Sequence, residues 1–553
     1  MSETFTPDEA AVLAPYFTNV DEPVFGLRLP QEVAGALFSR YSRSGKSLRR
    51  IFLDEFHGGE GLAEGLLGGS ADPDPAALKR ARAFYDRVLV GYGDDSVAQL
   101  GGAHVAVERV SNVAAKILEE GRIGAAFLEK STRYVRFDQK DEAGGYLYAK
   151  EEALMGSRHR DAYVALMERC FDTYARQIDP MIEHIKRLLP IESVEVRHPK
   201  TGETMTYADI AGDEETAKLA RRAYQSTVRA HACDVMRSYL PGATLTNVGI
   251  YASGQAYEHL LNKLHSSDLL ECRSLAVSID GALETLIPSF VKRARRSDYL
   301  VASRAAGRET AGRLLGGADS VPASCAVSVT LLDWDRGAEE RVLAALLFPF
   351  ADRPLGEIRA RVAALSSAER WTALDALAGQ RRSRRDKPPR ALEAADYTFD
   401  LCANFGIFRD LQRHRILSQE RQAFTTAHGY DTPPEIEEAG LKPAFDECME
   451  RAHDLHEAVS REHPLEAQYV VPFAFRVRWT MRMNLREAVH FCELRSMPQG
   501  HPDYRLVAQE MWRKIEGVHP AFSAWARFLN RDTYRLGRLQ SEMRTEYKRS
   551  LLS

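Results

Sequence analysis

The sequence predicts an α+β fold: two tandem copies of one domain, a sheet packed with helices, joined to a helix-rich extension and insertion. Two internal repeats predict it, and repeats are sought first because missing one misassigns the whole fold. A proline-to-proline block occurs twice, from Leu240-Pro241 to Pro288-Ser289-Phe290 and from Val471-Pro472 to Pro520-Ala521-Phe522. Each block carries a histidine at a matching offset, His259 in AYEHLLNKL and His490 in EAVHFCELR, among apolar residues at helical spacing. Upstream, VSNVAAKILEEGRIGAAF (110–127) and FGIFRDLQRHRILSQERQAF (405–424) are each an apolar helical stretch with an Arg-Ile pair. Two matched pairs in the same order point to a duplication.

The elements follow from this frame. Residues 1–75 form an N-terminal extension. Its basic stretch RYSRSGKSLRRIF (40–52) has the spacing of an amphipathic helix with a cationic face, and 58–75, rich in Gly, Asp and Pro, read as loop. The first copy occupies 76–296. An insertion near 140–230 holds two predicted helices and a hairpin, VEVRHPKTGETMTY, in which Lys-Thr-Gly separates two alternating runs. The second copy lacks this insertion. Residues 297–323 read as a connector. CAVSVTLLDWD (325–335) reads as a buried strand opening the second copy, 324–532. RRSRRDKPPR (381–390) reads as a solvent-exposed basic loop, and 533–553 as a C-terminal tail.

Composition excludes several classes. With 553 residues, 44% hydrophobic and 27% charged, the chain has globular proportions and enough length to bury cores without crosslinks. Its 74 basic residues against 78 acidic ones argue against a dedicated nucleic-acid coat. A nucleic-acid binder would have to use RYSRSGKSLRR and RRSRRDK, which lack interleaved aromatics for base stacking. Seven cysteines without a CxxC pair disfavour structural zinc and a disulfide framework, and no metal-ligand spacing stands out. Cys402 and Cys492 lie on apolar faces and read as core. The start, MSETFTPDEA, lacks a signal pattern, and the longest apolar run, Val342 to Ala351, contains Pro349 and falls short of the roughly 20 residues of a membrane span. A cytoplasmic protein with no membrane partner is expected.

Arginines carry the chemical signal. Arg413-His414-Arg415 closes a mostly apolar helix, where two flanking cations are costly unless they face an anion, which Arg holds through a planar fork. Asn484, Arg486, His490 and Arg495 follow along one predicted helix. Asn484 and Arg495, three turns apart, share a face, so Asn484, His490 and Arg495 converge on one polar ligand. In the first copy Ser131-Thr132-Arg133-Tyr134 and Arg237 stand out. There Ser253-Gly254-Gln255 replaces Asn484-Leu485-Arg486, and Leu264 replaces Arg495. The copies agree in apolar scaffold and differ at polar positions, which suggests divided labour.

These residues resemble the flavin-dependent thymidylate synthases. The second copy matches at Glu393, Tyr397-Thr398-Phe399, Arg413-His414-Arg415, Asn484, Arg486, His490 and Arg495. The first matches at Gly93, Ser96-Val97, Val110-Ser111, Ser131, Arg133-Tyr134, Arg237 and Leu240-Pro241. Ala423, Thr425-Thr426 and Gln468 depart from the pattern in the second copy, and Glu120-Gly121-Arg122 in the first. A family histidine is replaced by Ala394 and by Leu100. Family sites lie between subunits of a tetramer, and here the losses are complementary. The resemblance implies a composite site between the copies, with a homodimer standing in for the tetramer. It implies reductive methylation of dUMP to dTMP, with methylenetetrahydrofolate giving the carbon and NADPH reducing bound FAD. Arg133, Arg237 and Arg413 would hold the nucleotide phosphate and polarise the uracil carbonyls. Arg495 would be the activating cation on the uracil, and Ser131 would touch the nucleotide. Arg413, Arg495 and Ser131 thus form the implied catalytic set. His414, Arg415, Asn484, Arg486 and His490 would face the flavin. The alternative is a non-catalytic or repurposed flavin- or nucleotide-binding relative.

Overall fold

Polar caps at strand-to-helix junctions set the local architecture. Ser253, Asn404 and Asn484 each end a strand and accept a hydrogen bond from the backbone N–H three residues on, at Ala256, Ile407 and Glu487. Such a cap satisfies an N–H that the first helical turn leaves without a partner. We analysed a computed structural model, which describes residues 4–29, 31–42, 44–57, 98–121, 123–198, 201–315 and 326–552. The 58–75 loop, Gly93, Ser96, Val97 and Arg122 lie outside the described residues, as do 316–323 of the connector.

In chain order, β1 (Gly102–Ser111) runs into α1 (Asn112–Leu118) and β2 (Ala125–Glu129). Helices α2 (Arg160–Leu188) and α3 (Glu214–Met236) follow, with the hairpin β3 (Glu195–Arg197) and β4 (Thr204–Thr206) between them. That hairpin turns where Lys-Thr-Gly predicts, and Gly202 takes φ +75°, which favours glycine. Then come β5 (Leu245–Ser253), α4 (Gly254–His265), β6 (Ser328–Trp334) and β7 (Asp396–Asn404). The chain continues through α5 (Phe405–Leu411), β8 (Ser418–Arg421), α6 (Lys442–Ser460), β9 (Arg476–Asn484), α7 (Leu485–Arg495), α8 (Pro502–Val518) and α9 (Leu539–Ser550).

Among the described residues the two main sheets have strand orders β1-β5-β2 and β6-β7-β9-β8. The order β1-β5-β2 and the order β7-β9-β8 match, and in each the first and last of the three strands flank one short helix. The start of each short helix is fastened alike: Val113 N–H donates to Gly242 O (3.3 Å) and Gly406 N–H to Phe473 O (3.0 Å), each acceptor one residue past a proline of the repeat.

The chain forms two compact units, one of 1–108, 117–129 and 247–316, the other of 109–116, 130–246 and 317–553. In the first, Phe17, Leu37, Ile51 and Phe52 form the core of the extension. The 40–52 stretch is not one helix with a cationic face. Helix Gln31–Tyr41 ends, and Ser47 caps a new short helix, Leu48–Ile51. Its described cations are used internally: Arg40 pairs with Glu55 (2.8 Å), Lys46 with Asp54 (2.8 Å) and Arg50 with Glu9 (2.5 Å). Arg49 is buried and donates to the carbonyls of Val20 and Glu22.

In the second unit the inward faces of the sheet are Tyr397, Phe399, Leu401 and Ala403 on β7 and Val477, Trp479, Met481 and Met483 on β9, alternating as a strand demands. Cys402 and Cys492 are buried, as expected. β6 is not the buried strand expected, because among the described residues it is an edge strand paired only with β7, and Leu332 is exposed. Nor is the region between β8 and β9 empty, at the place that matches the expected 140–230 insertion. It carries α6, which packs on α2 through Cys448 against Thr173. The two repeat prolines meet here: Gly242 N–H donates to Val471 O (2.8 Å) and Phe473 N–H to Leu240 O (2.9 Å). A Cβ on Gly242 would lie 2.6 Å from the Gln468 carbonyl oxygen, so only glycine permits this approach. The C-terminal residues pack as well: Glu542 on α9 accepts from Ser226 on α3. Among the described residues no helix is long and apolar enough to cross a membrane.

Candidate functional site

The second unit gathers arginines from both halves of the sequence. Ser131 builds a turn: its carbonyl accepts from Tyr134 and Val135 N–H, and its hydroxyl from Arg133 N–H (3.3 Å). That turn presents Arg133, whose Nε and Nη2 bind Asp234 at 2.7 and 2.9 Å and whose Nη1 donates to the Tyr504 hydroxyl at 3.1 Å. Asp234 also accepts from Arg538 (3.1 Å). Arg237, at the end of α3, is buried and donates from Nη1 to Asp410 at 3.3 Å. Asp410 sits on α5, every residue of which is buried, and its neighbour Arg409 donates to the Thr132 hydroxyl (3.0 Å).

Asp410 marks the centre. Burial alone would raise its pKa, yet the guanidinium groups of Arg237, Arg413, Arg133 and Arg495 together hold it well below the usual carboxylate range. The Tyr504 ring lies near both Arg133 and Arg495, with guanidinium carbons 5.5 and 5.6 Å from its centroid. The four expected arginines therefore share one neighbourhood.

The Arg-His-Arg motif follows α5. His414 is buried while Arg413 and Arg415 are exposed. His414 is held at both nitrogens, Nδ1 2.8 Å from Glu487 Oε1 and Nε2 2.9 Å from Arg495 Nε. The His490 ring is 5.8 Å from that of His414, and burial, with Lys387, Arg384, Arg495 and Arg486 nearby, lowers its pKa to about 4.

The expected convergence of Asn484 with His490 and Arg495 does not hold. Asn484 Oδ1 is used as the cap of α7 (2.9 Å from Glu487 N), because strand β9 ends there and the helix needs a cap. Arg486 turns to the 388–393 segment, donating to Pro388 O and Glu393, each at 2.8 Å. Arg495 and His490 instead approach His414. The 381–390 loop is not wholly solvent-exposed either. Arg381 is buried in a fork with Glu493, at 2.9 Å through both nitrogens, since Glu493 faces the core and needs a counter-charge. Lys387 lies 3.2 Å from His490 Nδ1.

Asp234, Asp410, Glu487 and Tyr504 were not singled out from sequence. Glu487 alone had a local signal: Asn484-x-x-Glu487 is capping spacing. The two aspartates each precede a noted arginine by three residues, a position that carries no signal by itself.

The fold and this cluster define a class: a mixed α+β protein whose second unit focuses guanidinium groups, offset by two buried carboxylates, suited to an anionic ligand. The pattern of the thymidylate synthase complementing protein family matches residues 68–289 and 331–521, and the chain belongs to that family. It is 37% identical over 552 residues to a UPF0159 protein of Chlamydia muridarum, covering 98% of each chain. It is 32% identical over 143 residues to a flavin-dependent thymidylate synthase of Geobacter sulfurreducens, covering 23% of this chain and 60% of that one. The UMP/dUMP methylase PolB of Streptomyces cacaoi, solved with 5-Br UMP, aligns over 37% of this chain and 97% of its own at 17% identity. The TM-score of that alignment is 0.27.

Among the described residues no group of three or more His, Cys, Asp or Glu is arranged to hold a metal ion. Lys387 and Arg384 of the 381–390 loop and Arg486 of α7 lie near His490, a cationic set whose chemistry fits an anionic group such as the pyrophosphate of FAD.

Proposed function

We propose that this chain methylates dUMP to dTMP reductively, using methylenetetrahydrofolate and NADPH, with FAD as resident cofactor. The single observation that supports this most is the meeting of Arg133 and Arg237 with Arg413 and Arg495 around Asp410. Family membership supports the reaction class. The matched strand orders and matched helix fastenings support a tandem duplication, in which one chain supplies both sides of a composite site. A cytoplasmic homodimer of such chains would stand in for a tetramer and carry two nucleotide sites.

Arg133, Arg237 and Arg413 would grip the phosphate, exchanging part of their contact with Asp234 and Asp410 for the ligand's oxygens. Arg495 would place its charge on the uracil carbonyl edge, where negative charge develops. Ser131 would fix the turn that presents Arg133 and touch the nucleotide with its hydroxyl. Asn484 through its amide N–H, Arg486, His490 and Arg415 would hold the FAD, which supplies hydride chemistry when bound, while His414, engaged at both nitrogens, would stand behind them. His490, neutral near pH 7, would offer a hydrogen bond there without a charge.

The test is direct. Purified protein is assayed for flavin absorbance, for dUMP binding by calorimetry and for dTMP formation by mass spectrometry, alongside rescue of a thymidine auxotroph. Two dUMP sites per dimer, each lost on changing Arg133 or Arg413 separately, are expected. Four equivalent sites, or none, would refute the composite site. A second reading, a flavin- or nucleotide-binding relative without turnover, is favoured by one observation: Arg133 already holds a carboxylate through two nitrogens. Bound flavin and dUMP with no dTMP would establish it.

A further inference from the structure

We infer that Glu487 is a positioning residue for Arg495, acting through His414 to fix which imidazole nitrogen carries the proton. The argument begins with donor chemistry. A guanidinium has N–H donors and no acceptor. Arg495 Nε lies 2.9 Å from His414 Nε2, so that nitrogen accepts and is bare. The proton of a neutral imidazole is then on Nδ1, which faces Glu487 Oε1 at 2.8 Å and donates to it. His414 is neutral: burial first, then Arg495 and His490, hold its pKa well below the ordinary histidine value.

Glu487 is itself fixed. Its backbone N–H donates to Asn484 Oδ1 in the first turn of α7, and its side chain is buried. Arg495 closes the same helix, so Glu487 and Arg495 stand at its two ends and His414, from the turn after α5, spans them. The chain runs Glu487–His414–Arg495, and it orients a guanidinium that also lies beside the Tyr504 ring.

The relay has a pH consequence. The groups facing Glu487 are His414 from the motif turn, Lys387 from the 381–390 loop, and Arg486 and Arg495 from α7 itself. Burial outweighs these cations and lifts the Glu487 carboxyl to about 7. Above that pH the carboxylate accepts from Nδ1 and the tautomer is locked. As pH falls through it, Glu487 takes a proton and can donate to Nδ1, which allows the tautomer with a proton on Nε2. That proton would oppose Arg495 Nε–H, donor against donor, and release the guanidinium.

The inference rests on the proposed nucleotide site only for its binding arm. Its structural arm uses full-length protein labelled with ¹⁵N-histidine, with His414 assigned by H414N. At pH 8 the expected spectrum has a protonated Nδ1 and a bare Nε2. A protonated Nε2 at pH 8 overturns the relay whether or not dUMP binds. In the binding arm, wild-type affinity for dUMP is expected to fall between pH 8 and pH 6, while E487Q, which can accept through its amide oxygen at every pH, keeps its pH 8 affinity and shows a shallower slope, the remainder being the second protonation of the dUMP phosphate at about pH 6. E487L, which leaves Nδ1–H without an acceptor, is expected to weaken dUMP roughly 10- to 100-fold at pH 8. Wild-type-like affinity in E487L, or an unchanged slope in E487Q, would refute it. If the wild-type protein binds no dUMP, the nucleotide reading fails and the tautomer spectrum still decides the relay.

Discussion

Arg237 and Gln468 stand at matching places, each three residues before an aliphatic-proline pair. Arg237 is buried against Asp410. Gln468, equally buried, uses its amide mostly on backbone, accepting from Phe424 N–H (3.1 Å) and donating to Leu465 O (2.9 Å), with Arg421 Nη1 a more distant donor (3.4 Å). The same contrast recurs at other matched positions. Arg495 reaches His414, whereas Leu264 is fully buried core. His414 is held in a relay, whereas Gly121 occupies its place in the first segment, next to Glu120, which pairs with Lys263. A neutral side chain can be satisfied by nearby backbone, but a buried charge requires a dedicated partner. A charge kept at one matched position therefore needs a dedicated partner, as Asp410 is for Arg237, whereas Gln468 and Leu264 at the other positions need none.

That contrast can be broken in order of expected effect. Asp234→Asn removes the anion shared by Arg133 and Arg538, all three side chains being nearly buried, and should cost about 3 kcal/mol of stability, read from urea unfolding. An unfolding midpoint equal to wild type would show that the carboxylate is not structural. Arg237→Gln converts the first segment to the second segment's residue and should weaken dUMP about 100-fold by calorimetry, a loss comparable to one charge-assisted contact. Equal affinity would remove Arg237 from the site. The reciprocal Gln468→Arg should add no second dUMP site per chain, because the matched segment lacks an arginine at Leu264.

Acid should act through the same aspartates. Asp234 and Asp410 are both held well below the ordinary carboxylate value, burial being outweighed by the arginines around them. Between that ordinary value and their folded values, the unfolded chain binds more protons. Their stabilisation is therefore complete above roughly pH 4 and is lost as pH falls below it. The melting temperature of Asp410→Asn should fall less steeply than that of wild type over the acid range. The smallest effect concerns the basic stretch 40–52: with Arg40, Lys46 and Arg50 each paired internally, changing these three to Ala should leave the binding of a fluorescent oligonucleotide at low ionic strength unchanged.

Much of this was legible in sequence, unevenly. The paired prolines, the Pro-x-Phe closures and the hairpin at Gly202 were readable because periodicity and turn chemistry are local. β6 was misread because an apolar run does not say whether a strand has one neighbour or two. Asn484 was misread because a polar residue at a strand's end serves as a cap as readily as a ligand. The 40–52 stretch was misread because basic residues show charge in sequence but not the acids that neutralise it.

By itself the sequence determined the paired proline blocks, the apolar scaffold and the identities of the arginines. Only the tertiary structure decided which arginines meet and what balances them. Arg133 finds Asp234 across 101 residues, and Arg237 finds Asp410 across 173. Local pattern fixes which face of a helix is apolar. It carries no term for the partner that a buried charge finds a hundred residues away, and that partner is set by packing.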